Sequence, residues 1–295
     1  VNNTKVAEYA KHDPALARMS IFRPVSKGKR NEKKLDIAFD YNGVNLRVES
    51  MELLDARDQT LLFVLIAMAG MEKEQIINKD STGPVGKELW EKMNSFAFVE
   101  GHSIAFCTTF YRILKNCKMA PTGLNYKFIE DSLLRLAKTN ITIKKGKQVT
   151  VTRLIVSLTF NEKEEVAIAI NPRIAEAVTG QYIVIDLEKR DLLKNDTAKI
   201  LFSYLSSVIN EGNKIPYIAK LETLIERTWG EEKEISSSTT RGRKKQIKDA
   251  LVMITQFKEW EIKLNGDLVS IKRKLIQTNN QTLTTVIKDK NRIIL

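Results

Sequence analysis

Twice in this chain, a stretch with the spacing of an amphipathic helix and several basic residues runs directly into strand, turn and strand. The first copy begins at Thr122-Gly-Leu-Asn-Tyr-Lys and continues as a helix to Lys138. It passes into Ile141-Thr-Ile, a Lys144-Lys-Gly-Lys turn and Val149-Thr-Val-Thr-Arg-Leu-Ile-Val. The second begins at Ser236-Ser-Ser-Thr-Thr-Arg-Gly-Arg-Lys-Lys and carries a helix to near Phe257. It then enters Trp260-Glu-Ile-Lys-Leu, an Asn265-Gly-Asp turn and Leu268-Val-Ser-Ile-Lys-Arg. Ile247, Ala250, Leu251 and Ile254 recur at the three- and four-residue spacing of a buried helical stripe, which turns Arg243, Lys244 and Lys248 mostly away from the core. A basic helix held by a small bundle and flanked by a hairpin is the geometry with which a winged-helix module enters the DNA major groove. The expected fold class is therefore α+β, with two winged-helix domains (helix-turn-helix plus β-hairpin) in tandem and duplex DNA as partner.

The charge distribution agrees. A net charge of +12 favours a polyanionic partner without choosing between nucleic acid and an acidic membrane surface. From Ser236 to the end stand 13 Lys and Arg against 5 Asp and Glu, a net +8 that coincides with the second helix and hairpin. A chain of 295 residues can build two domains, each with its own core. The longest apolar run, Leu61 to Gly70, falls well short of a membrane span and reads as a buried helix. The N-terminus lacks the basic-then-apolar pattern of a secretory signal, so the expected location is the cytoplasm, with no membrane partner. Cys107 and Cys117 are expected to be core thiols in a reducing compartment.

Residues 1–33 read as a basic, flexible arm, 34–160 as the first winged-helix domain, 161–195 as a mixed bridging segment, 196–275 as the second winged-helix domain and 276–295 as a tail able to add an edge strand. Leu35-Asp-Ile-Ala-Phe-Asp and Val44-Asn-Leu-Arg-Val flank Tyr41-Asn-Gly, a hairpin signal because the turn needs positive φ. Asp55 is the expected N-cap of an apolar helix to about Ala69. Further helices are expected over Val85–Asn94 and Ile104–Lys118, and a short one after Pro172. Strands are expected at Val166–Ile170 and Tyr182–Asp186. Ala198, Leu201, Leu205 and Val208 define one later helix; Ile218, Leu221, Leu224 and Ile225 define another that stops at Trp229-Gly230.

Ser238, Thr239, Thr240, Arg241, Arg243, Lys244 and Lys245 form the expected DNA-facing set, with Lys248 on phosphate. Hydroxyls at a helix start cap the helix and donate to phosphate, and arginine reads guanine O6 and N7 bidentately. Lys263, Lys272, Arg273 and Lys274 form the expected wing, whose contacts position the protein more than they specify sequence. In the first domain Asn125, Tyr126, Lys127 and Arg135 on the helix, and Lys144, Lys145 and Lys147 at the turn, are candidates for backbone contacts, with Glu130 and Asp131 diluting the charge. No enzyme signature competes. His12 and His102 are too isolated for a metal nuclease or a Ser-His-Asp arrangement. Gly83-Pro-Val-Gly-Lys-Glu lacks the GxxxxGK[ST] spacing of a phosphate loop. Tyr111 and Tyr126 have no activating cluster beside them. No catalytic residue, cofactor or metal is expected.

The segments Asp55-Ala-Arg-Asp-Gln-Thr-Leu-Leu-Phe-Val-Leu and Asn125-Tyr-Lys-Phe-Ile-Glu-Asp-Ser-Leu-Leu-Arg-Leu-Ala resemble the opening helix and the pre-wing helix of the first domain in plasmid replication initiators of the TrfA type. The resemblance runs from Leu35 to Arg273 and is architectural in the second domain. It implies binding to repeated origin sites (iterons), help in opening adjacent AT-rich DNA and recruitment of a host initiator and replicative helicase. It also implies a homodimer through the first domain and no catalytic residues. Two other readings share parts of the pattern: a two-module transcriptional regulator or partition-type DNA binder, and a protein-binding scaffold whose charge confers solubility.

Overall fold

The computed structural model describes residues 8–26, 28–71, 76–77, 103–161, 165–171, 182–232 and 235–275. It opens with β1 (Tyr9–His12) and α1 (Pro14–Arg18). Asp13 caps α1, its carboxylate accepting from the Leu16 amide at 2.8 Å, and Pro14 stands where its missing N–H costs nothing. The stretch expected as a flexible arm thus holds a strand, a helix and, at Arg30–Glu32, a 3-10 turn. Ala10, Ala15, Leu16, Met19, Ile21 and Phe22 are buried and tie it down.

The hairpin β2 (Leu35–Tyr41) and β3 (Val44–Ser50) forms as expected, with both turn residues, Asn42 and Gly43, at positive φ. Helix α2 (Ala56–Met71) follows. The Asp55 carboxylate accepts from the amides of Arg57 and Asp58, and Asp58 accepts in return from the Asp55 amide at 2.9 Å, a reciprocal cap.

After β4 (Ile76–Ile77) comes a second departure from expectation. The stretch from Ile104, read as one helix, is β5 (Ser103–Thr109) followed by the short α3 (Phe110–Asn116). Thr109 divides them: its side chain accepts from the Arg112 amide at 3.2 Å. Ala105 and Phe106 are buried on opposite sides of β5 while Cys107 is exposed. The run Ile104-Ala-Phe-Cys is apolar on both faces, which hides the alternation that would have marked a strand.

Helix α4 (Gly123–Lys138) leads to β6 (Asn140–Lys145) and β7 (Gln148–Arg153). The strand expected over Val149–Val156 breaks at Leu154, after which β8 (Ile155–Phe160) joins a different sheet. With β9 (Glu165–Ile170) the antiparallel orders are β2-β3-β6-β7 and β4-β5-β9-β8. Strand β10 (Ile183–Asp186) pairs with β1, and α5 (Leu187–Leu192) follows. One apolar core joins these elements, from Ala10 to Leu187. Cys117 packs half-buried against it, its thiol pushed up by burial to about 12, whereas Cys107 is exposed on β5 and not the core residue expected.

A second core runs from Leu193 to Ile271. It is built by α6 (Asp196–Val208), β11 (Tyr217–Lys220), α7 (Leu221–Trp229), α8 (Ser237–Ile254), β12 (Trp260–Asn265) and β13 (Leu268–Arg273). The strands lie in the order β11-β13-β12. The helix expected from Ile218 starts at Leu221, because Tyr217–Lys220 pair with β13 and leave Ile218 exposed. The Val85–Asn94 and post-Pro172 helices, the Gly83 turn and the tail strand lie outside the described residues.

Helix α6 packs against α1 and α2 on one side and α7 and α8 on the other, so even Ser203, Ser206 and Ser207 are buried. Across this seam Arg190, fully buried, donates to Ser203 Oγ, Thr60 Oγ1, the Ala56 carbonyl and Gln59 Oε1. Burial away from water brings its guanidinium down to about 10. Among the described residues no helix is long and apolar enough to cross a membrane.

Candidate nucleic-acid interface

Helix α8 begins where its sequence says it should. Ser236 takes the N-cap position, its hydroxyl accepting from the Thr239 amide at 3.2 Å, while the Thr240 hydroxyl donates to the Ser236 carbonyl. Ser236 Oγ lies 3.0 Å from Ser238 Oγ and 2.8 Å from Thr239 Oγ1, so three hydroxyls cluster at the exposed helix start. The helix buries Ile247, Ala250, Leu251 and Ile254 against the second core. Arg241, Lys245 and Lys248, at spacings of four and three, then share the outward face with Ser238. Among the described residues none of these three cations has an ion-pair partner.

The other two basic residues of the expected set are engaged. Lys244 is held between Glu222 on α7 and Asp267 at the hairpin tip, the second at 2.7 Å. Hydrogen bonds from Lys244 keep both carboxyls below their ordinary range. Arg243 turns to the opposite flank, its Nη2 2.8 Å from Glu232 and its guanidinium 5.2 Å from the Trp229 ring.

In the hairpin β12–β13 the tip, Asn265-Gly266-Asp267, turns through Gly266 at φ +61°. The pairs Lys263–Ser270 and Glu261–Lys272 face outward together. Glu261 binds Lys263 at 3.2 Å and Lys274 at 3.1 Å, and these two ammonium groups hold its carboxyl down. Arg273 belongs to the other face, 5.2 Å over the Trp260 ring.

In the first unit, Lys144, Lys145 and Lys147 stand exposed at the β6–β7 turn and Lys127 is exposed on α4. Asn125 donates to the Ala120 carbonyl at the start of α4. Tyr126 packs on Phe110 with ring centroids 6.4 Å apart. Arg135 is turned inward, its Nη2 2.8 Å from the fully buried Asp58. Burial alone would raise the Asp58 carboxyl; Arg135, Arg30 and Ser132 outweigh it and hold the group below the usual carboxylate range. No ion pair among the described residues joins the first-unit set to the α8 set.

One contribution has no counterpart in the expected set. Lys29 and Lys33 flank the 3-10 turn, beside the first half of α8, and Lys33 bonds Glu232 at 2.7 Å. The basic run from Ser26 to Lys34 signalled charge, but its position follows from the buried residues before it. No group of His, Cys, Asp or Glu among the described residues is placed to hold a metal ion.

This arrangement can be set beside known proteins. The replication protein C (RepC) family matches residues 5–264. The chain belongs to the RepC family. No curated protein matches it in sequence. Among solved structures, the crystal structure of domains 2 and 3 of RctB superposes with a TM-score of 0.51 at 10% identity, covering 90% of this chain and 99% of that one. A second crystal structure of RctB domains 2–3 gives 0.45 at 10% identity, covering 88% and 95%. The RepC match places the chain among replication proteins and agrees with the resemblance to replication initiators; the RctB likeness is one of mixed α+β fold.

Proposed function

We propose that this RepC-family chain is a plasmid replication initiator whose two helix–hairpin units act as tandem winged-helix modules on duplex DNA. In this reading it works in the bacterial cytoplasm and binds repeated origin sequences (iterons). It promotes opening of the origin and recruits the host initiator and replicative helicase. It binds DNA without cutting or joining it, and no cofactor takes part. The observation that carries the reading is the row of Arg241, Lys245 and Lys248 on the outward face of α8, without ion-pair partners among the described residues. Such a row matches what a helix in a major groove needs: arginine for base edges and lysine for phosphates.

The hairpin lysines Lys263 and Lys272 contact phosphate beside that helix, and Lys127, Lys144, Lys145 and Lys147 do so from the first unit. A homodimer forms through the first unit in this account. Its support is β7, a sheet edge with Val149 and Val151 exposed, which a second chain can extend. Selection of the purified chain against random duplexes at near-physiological salt tests the proposal. Recovery of one motif recurring as spaced direct repeats is the expected result. A palindrome would move the reading to a dimeric regulator, and no motif at all would remove sequence reading.

A further inference from the structure

Glu232 lies where cationic side chains from three parts of the fold converge. Its Oε1 takes Lys33 Nζ at 2.7 Å and its Oε2 takes Arg243 Nη2 at 2.8 Å. Arg23 reaches the same place from the N-terminal segment. Its guanidinium lies so close over Gly230 that a Cβ there would collide with it. Burial lowers the Arg23 guanidinium, with Glu232 opposing and Arg243 adding to the effect, so the three groups share one electrostatic environment. Burial likewise works against the Glu232 carboxylate, but Lys33 and Arg243 outweigh it and hold the carboxyl below its ordinary range.

The cleft beside the cluster is lined by four cations, Arg23, Lys29, Lys33 and Arg243, against the carboxylates Glu32, Asp196 and Glu232. Glu32 is paired to Lys29, and Arg243 Nη1 is buried without an acceptor among the described residues. The cleft measures about 510 Å³, and Trp229 and Thr239 also line it. At 3.6 residues per turn, Thr239, Gly242 and Gln246 lie roughly 130° around α8 from the row of Arg241, Lys245 and Lys248, with Arg243 further round, on the edge of the buried stripe. A helix inserted in a major groove about 12 Å wide has a phosphate strand against each flank. Lys244 occupies one flank, and the cleft is the other.

We infer that this cleft is a binding site for a backbone phosphate of duplex DNA, held by Arg23, Lys33 and Arg243, and that the Glu232 carboxylate fills it in the free protein. A phosphodiester presents two free oxygens and one negative charge, as a carboxylate does, so it takes over both cationic partners as Glu232 swings out. The site rests on the reading that α8 meets DNA.

The test uses the full chain and a 20-base-pair duplex of arbitrary sequence, with binding followed across a salt series. Glu232→Gln keeps the shape and removes the competing charge. It is expected to tighten binding roughly threefold to tenfold at 0.15 M salt, while Lys33→Gln weakens binding and lowers the salt slope by about one. The gain from Glu232→Gln must vanish in the Arg243→Ala background, because the two changes act on one site. A gain that persists there is a net-charge effect and overturns the site, as does a folded Glu232→Gln protein with unchanged affinity. Lys33, an exposed residue, keeps the test decisive should Glu232→Gln fail to fold: an unaltered salt slope in Lys33→Gln contradicts the site. Arg241→Ala, measured on the selected duplex, separates the two claims. If it leaves specific binding intact while the Glu232 and Lys33 results hold, Arg241 does not read bases, and α8 meets DNA through the phosphate site.

Discussion

Arg190 Nη2 donates to Gln59 Oε1 at 2.7 Å, and its Nε reaches Ser203 Oγ at 3.1 Å across the seam between the two cores. All four acceptors around this buried guanidinium are neutral oxygens. Lysine has no fork with which to reach them together, so Arg190→Lys is not conservative here. It is expected to cost about 3 kcal/mol in urea unfolding, because hydrogen bonds to a charged group each carry about 1.5–3 kcal/mol. Loss of cooperativity, with two separated transitions, would identify the seam as what couples the units. An unchanged midpoint and slope would show that it couples nothing.

Asp58 accepts from Ser132 and from both Arg30 and Arg135 inside the first core. Asp58→Asn leaves the half-buried Arg135 guanidinium without its counter-charge, while Arg30 keeps Asp55, and should destabilise by about 3–5 kcal/mol. Arg135→Ala should weaken DNA binding only through loss of fold. A melting temperature unaltered by either change contradicts the structural role given to this pair.

His12 is buried against Phe63, with ring centroids 5.1 Å apart, and desolvation lowers its pKa from 6.5 to about 4, against a smaller opposing pull from Asp13. It is neutral in the folded chain, and the unfolded chain takes up its proton first as pH falls. Its contribution is therefore complete above about pH 7 and is lost between 6.5 and about 4, amounting to about 3 kcal/mol at the lower end. Asp58 titrates lower still, its stabilisation disappearing only as pH falls through and below the ordinary aspartate range near 3.9. Urea midpoints from pH 7 to 4.5 should drop in the wild type and stay level in His12→Leu. Parallel curves would place the titration elsewhere.

Gly230 ends α7 at φ +80° and ψ 170°, a region open essentially to glycine alone, with the Arg23 guanidinium against it. Gly230→Ala should cost about 1–3 kcal/mol from the backbone alone. Gly266→Ala, with nothing within 4 Å and the milder φ of +61°, should cost less. Thermal unfolding of the two variants gives the order, and equal shifts would rule out the Arg23 contact as a constraint.

What the sequence made legible was local. The Ser236 cap, the Asn42-Gly43 turn and the Asn265-Gly266 tip are set by neighbouring residues, and each appears where the chain signals it. The apolar stripe of α8 likewise fixes which basic residues face outward. The engagement of Arg243 and Lys244 was not legible, because Glu232, Glu222 and Asp267 reach them only through the tertiary fold. Strand β5 was hidden because Ile104-Ala-Phe-Cys puts apolar side chains on both of its faces, whether or not they are buried. The seam at Arg190 depends on residues more than a hundred positions apart, and no spacing pattern announces it.

The most direct test of the central claim is the affinity of the full chain and of Arg241→Ala for a selected duplex and for a scrambled one, at matched salt. If the outward row of α8 reads base edges, Arg241→Ala loses about 1–3 kcal/mol on the selected duplex and little on the scrambled one, while Lys245→Ala and Lys248→Ala weaken both and each lower the salt slope by about one. Discrimination that survives Arg241→Ala undiminished would contradict the account.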